Sequence, residues 1–253
     1  MEAIESESFK FTNPVISKKK WTGYTLLISG VSVGNVGQLA VDLFLANLGD
    51  NVQKISAIYD EAVLPVVGKD QFNQGTCTSL ELFKGNKIIL LQQRSPFAKG
   101  RIPSFRRKLV KWIKDCEFSD VFMLSSVSSH VRKDKDIAGS TIRYLTNSQC
   151  VKETAADKSW LEYCVTKNSD KEDDYHLPGA GIVKSLYEEC KRNSVTFTAF
   201  LIFCNPGNNI VEATQLVMHA NSYLQLFKMA DDDQLKMPLS WKVPLKCETG
   251  YIF

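Results

Sequence analysis

The stretch of this chain best suited to chemistry is a cluster of glycines near its start. Gly30-Val31-Ser32-Val33-Gly34 matches G-x-S-x-G, between an apolar run at residues 24–29 and an amphipathic one from Val36 to Leu48. On a strand–turn–helix, that spacing places a serine on a strained elbow beside oxyanion donors. Such a serine needs a base. The histidines are His130, His176 and His219. His130 follows the serine-rich SSVSS at 125–129 and is best placed, His219 falls inside an expected helix, and His176 lies in an acidic loop. An elbow also draws one oxyanion N–H from an earlier strand's loop, whereas here it follows the first clear strand. The hydrolase reading therefore ranks third.

The same turn nearly matches a dinucleotide fingerprint. G-x-G-x-x-G would need glycines at 32, 34 and 37, and position 32 is serine. Asp60, 23 residues past Gly37 and just after the following strand, is the candidate for holding a ribose hydroxyl. A nucleotide- or nucleoside-binding α/β enzyme built on the Gly30 to Gly37 turn is thus the alternative reading. A P-loop fails, since no Gly-Lys-Ser/Thr follows the strand. The same glycines also serve close packing of helix on strand with no ligand at all. The seven cysteines are scattered without a C-x-x-C pair, which points to reduced thiols and away from a zinc site. Acidic residues crowd only at 169–174, an irregular stretch ill suited to precise proton transfer. The basic helix expected at 104–114 carries no aromatic platform for bases. No catalytic residue, metal site or cofactor is expected, and binding replaces catalysis as the leading class.

The elements that would position this turn read as an α/β domain. Strands are expected at 24–29, 52–59, 120–125, 141–145 and 194–204, with a hairpin of 78–83 and 87–93 around Lys84-Gly85-Asn86. Residues 61–67 are β-prone but contain Pro65, so an edge or a bend is expected. Helices are expected at 36–48, 103–116, 179–192 and 210–229 from their 3.6-residue apolar rhythm. In the second of these, Phe105, Leu109, Trp112 and Cys116 share a face, while Arg106, Arg107, Lys108, Lys111 and Lys114 cover the rest. The fold class is α/β: a three-layer sandwich with a mixed, largely parallel central sheet and a C-terminal extended tail. Residues 1–20 form a polar arm, 21–230 a single domain with an irregular insertion at 147–178 holding little helix around 154–163, and 231–253 the tail. A net charge of +3 is too small by itself to suggest a nucleic-acid partner, none is expected, and no apolar run is long enough to span a membrane. The first residues lack the pattern of a signal peptide.

The tail has its own logic. Pro238 and Pro244 work against a helix, and the chain runs out through Gly250, Tyr251, Ile252 and Phe253. An extended segment ending in apolar and aromatic side chains with a free carboxylate suits a pocket lined by a basic residue. Residues 241–247 would serve equally as a last edge strand; the final three favour insertion.

The segments GVSVGNVGQLAVDLFLANL, VTFTAFLIFCNPGNN and PLSWKVPLKCETGYIF resemble the proteasome assembly chaperone family, and the resemblance extends over essentially the whole chain. It implies a non-enzymatic chaperone of the cytoplasm and nucleus. It also implies a heterodimer with proteasome assembly chaperone 1, which binds α-type subunits of the proteasome core while their ring forms. The family's C-terminal hydrophobic-Tyr-X motif enters pockets between adjacent α subunits. Tyr251, Ile252 and Phe253 are the corresponding partner-binding residues here, with the tyrosine third from the end instead of penultimate.

Overall fold

A computed structural model describes residues 8–69, 75–132, 139–163, 177–228 and 234–242. Strands β1 to β5 are Lys10–Phe11, Thr25–Ser29, Gln53–Tyr59, Val67–Lys69 and Thr76–Thr78; β6 to β10 are Leu80–Lys84, Ile88–Gln93, Asp120–Ser128, Ile142–Thr146 and Phe197–Cys204. Helices α1 to α6 are Pro14–Lys18, Val36–Leu48, Ile102–Asp115, Gln149–Asp157, Val183–Arg192 and Ile210–Leu224.

Eight strands form one sheet in the order β1-β3-β6-β7-β2-β8-β10-β9. The four in its centre, β7, β2, β8 and β10, run parallel. They are also the most continuously apolar, as burial on both faces requires. Antiparallel strands extend the sheet on either side. The two-residue period of a strand sends neighbours to opposite faces. Leu26 and Ile28 of β2 pack with Phe105 and Leu109 of α3 and Leu186 of α5. Leu27 packs with Phe44 of α2, Phe200 of β10 and Leu216 of α6 on the other side. Helix, sheet and helix make the expected three-layer α/β sandwich.

Four local expectations change. Residues 8–20 pack instead of trailing as an arm: Phe9 and Ile16 are buried in the α3 layer, and β1 covers part of β3's outer edge. Two aromatic or branched residues among polar ones gave no periodic signal, yet each finds a hydrophobic hole. Strand β8 continues through Ser128, so most of the serine-rich segment is strand, not loop. Ser125 to Ser128 pair in register with Leu201 to Cys204, and the hydroxyls of Ser125 and Ser126 bond neighbouring backbone. In 147–178, helix starts at Gln149, earlier than expected, where Ser148 accepts a bond from the Val151 amide as an N-cap. The piece around Pro65 leads into a small ribbon, β4 with β5, separate from the main sheet.

Candidate functional site

The glycine turn lies at the C-terminal ends of the parallel strands, where open α/β sheets commonly place ligands. Its glycines answer to packing. A Cβ on Gly37, in the first turn of α2, would stand 2.3 Å from the Leu124 carbonyl oxygen and 2.5 Å from that of Gly30. The helix therefore presses directly on the backbone of β2 and β8, and only glycine permits it. Gly34 holds a φ of +64°, and a Cβ there would meet the Asn209 side chain at 2.2 Å.

The turn is also covered by its own chain. Residues 177–181 lie across it: the Val33 amide donates to the Gly179 carbonyl, the Ser128 amide to Pro178, and the Ser125 hydroxyl to Ala180. Gly181 fits because a Cβ would come within 2.3 Å of the Val31 carbonyl. A phosphate cradle needs free backbone N–H groups. Those of Gly30, Val33 and Asn35 are already bonded, to Leu124, Gly179 and Ser32.

The candidate catalytic side chains are dispersed into other bonds. Ser32 Oγ sits 2.8 Å from Ser126 Oγ, whose hydroxyl also lies 2.6 Å from the Val33 carbonyl. His130 Nδ1 is 2.6 Å from Ser128 Oγ. His219 packs against Trp160 in a tilted arrangement, ring centres 4.3 Å apart, and meets Phe200 edge-on. Burial, aided by the charge of Lys158, pushes its pKa down to about 4. His176 lies outside the described residues. Asp60, the supposed ribose ligand, is instead nearly fully buried in an ion pair with Lys108 at 2.8 Å, and it accepts the Ala62 amide. Lys108 therefore leaves the solvated face on which its spacing in α3 placed it. Among the described residues, no three His, Cys, Asp or Glu side chains gather to hold a metal ion. Five of the cysteines are free thiols.

What the fold does expose is apolar surface. Tyr59, Leu64, Val66 and Val67 are exposed around a cleft of about 400 Å³ beside β3 and the β4–β5 ribbon, the kind of surface that partners cover. A second cleft, of about 650 Å³, lies between the end of α2, the start of β3 and residues 236–239. This is the root of the C-terminal tail. Leu235 is buried among the α2 and α6 side chains and Trp241 packs against the same cluster, while Met237 and Leu239 are exposed. Tyr251, Ile252 and Phe253 lie outside the described residues.

The model of the PAC2 family matches residues 26–235. The chain is 34% identical to proteasome assembly chaperone 2 of Nematostella vectensis, covering 81% of this chain and 91% of that protein. It is also 34% identical to the Mus musculus protein of the same name, over 88% and 89% of the two chains. In fold it is similar to Pyrococcus furiosus PbaA, described as an archaeal homolog of proteasome-assembly chaperone, with a TM-score of 0.67 at 15% identity over 88% and 89% of the chains. Pyrococcus furiosus PbaB, described as an archaeal proteasome activator, superposes with a TM-score of 0.54 at 11% identity, over 87% and 98%.

Proposed function

The chain belongs to the PAC2 family, and from that premise we propose that it is a proteasome assembly chaperone acting by binding and not by catalysis. It works as a heterodimer with proteasome assembly chaperone 1, in the cytoplasm and nucleus, and holds α-type subunits of the proteasome core while they form their ring. The observation that carries this reading is the 34% identity to chaperones of that name along nearly their whole length. The geometry is in keeping with it. The turn that could have held a nucleotide is covered by residues 177–181, and Asp60 is committed to Lys108. Exposed apolar side chains instead line clefts on the body.

The division of labour follows from the sequence of the tail. The body supplies the heterodimer surface, and Tyr251, Ile252 and Phe253 supply an apolar plug for a pocket between α subunits. Deleting residues 250–253 is expected to weaken binding to α subunits at least tenfold, the effect of losing about 1.4 kcal/mol or more, and to leave the heterodimer intact. Co-purification from cells with mass spectrometry of the bound chains identifies the partners, and binding assays on the deleted chain measure the tail. Recovery of neither proteasome α subunits nor a second chaperone would overturn the reading.

A further inference from the structure

We infer that Asn47 is a positioning residue for the C-terminal tail, fastening its root to the end of α2 and so setting the point from which the tail leaves the body. This rests on the reading of the tail given above.

The geometry is a two-sided clamp. The Asn47 carboxamide donates to the Leu43 carbonyl of its own helix at 2.8 Å and to the Lys236 carbonyl at 3.1 Å. Its oxygen accepts the Lys236 amide at 2.9 Å. The bond to Leu43 locks the side chain in one rotamer. The other two grip a single residue's backbone by both its donor and its acceptor, as a neighbouring β-strand would. Only a carboxamide offers a donor and an acceptor side by side. Lys236 needs no particular side chain for this contact, so the clamp acts on the path of the chain.

On either side the root is seated by burial: Leu235 is 7% exposed, and Trp241 packs against the same hydrophobic cluster. From Lys242, residues 243–253 remain. Eleven residues span at most about 40 Å when fully extended. A tail plugged into a pocket therefore holds the body within that reach, and it does so from the clamped edge of α2. Fixing the root shortens the free chain and reduces the entropy lost on docking.

The test uses the full chain in its co-purified complex, with Asn47→Ala, Asn47→Asp, the 250–253 deletion and Asn47→Ala combined with the deletion. Asn47 is only partly buried, so the fold is expected to survive, and unchanged thermal unfolding checks this. Asn47→Asp keeps the acceptor for the Lys236 amide but sets a carboxylate against two carbonyls, giving a second route to the same lesion. Both substitutions are expected to speed hydrogen exchange in a peptide spanning residues 234–242 and to weaken α-subunit binding by about fivefold to tenfold. In the deleted background, Asn47→Ala is expected to add nothing. Unchanged binding beside a normal loss from the deletion overturns the positioning role alone, as does an equal loss with and without the tail. No loss from the deletion itself overturns the tail's function and, with it, the positioning role.

Discussion

His219 and the Lys108–Asp60 pair show what single side chains do inside this fold. His219 is held neutral between Trp160 and Phe200, with a pKa of about 4 against the ordinary 6.5. The unfolded chain therefore binds the proton more readily. Its contribution is complete above about pH 6.5, is lost as pH falls, and levels off below about pH 4, with an upper bound of about 3 kcal/mol. His219→Phe is expected to flatten that part of the stability profile, read as the difference between the two proteins' urea midpoints from pH 7 to pH 4. Lys108 and Asp60 are 5% and 3% exposed in their side chains. Removing one partner strands a buried charge, so Lys108→Ala is expected to cost about 3–5 kcal/mol in denaturant unfolding. Lys108→Met, with Asp60→Leu on the same chain, is expected to recover most of that loss. Neither role was legible from the residue types. A lysine at that spacing on α3 reads as solvated, and the acid that buries it is 48 positions away.

At the scale of elements, strong periodicity was readable and weak periodicity was not. Helix α3 buries Phe105, Leu109 and Trp112, and Cys116 at its C-cap is buried too, as the spacing requires. Strand β10 fills the place its apolar run demanded. The short pieces depend on what they meet. Residues 10–18 make only a two-residue strand and a five-residue helix, yet Phe9 packs on Phe105 with ring centres 5.3 Å apart and Ile16 joins the same core. Deleting residues 1–20 is expected to lower stability by about 3–5 kcal/mol, the usual cost of losing one buried aromatic, as measured by urea unfolding. A change within 0.5 kcal/mol would return these residues to the status of a loose arm. The serines of β8 were misleading because Ser is a turn residue by preference. Inside a parallel sheet the ladder satisfies the backbone, and the Ser125 and Ser126 hydroxyls each find a carbonyl.

For the whole molecule, the question was what occupies the C-terminal ends of β2 and β8. The answer is the chain itself: residues 177–181 bond to the backbone of Val33 and Ser128 and to the Ser125 hydroxyl. Calorimetric titration with adenine nucleotides and NAD is accordingly expected to give no micromolar binding, and heat at that affinity would revive the nucleotide reading. By itself the sequence determined the α/β class, the central strands, the long helices, the glycine turn and the likeness to proteasome assembly chaperones. Those rest on local rhythm, on burial of continuous apolar runs and on segments long enough to be recognised. The tertiary structure alone decided that Gly37 is glycine because α2 touches the Leu124 carbonyl, that Asp60 answers Lys108, and that Asn47 holds Lys236. Each of these joins residues dozens to nearly two hundred positions apart. Periodicity and propensity describe a residue's neighbours along the chain, whereas close approach, charge pairing and backbone clamping depend on its neighbours in space.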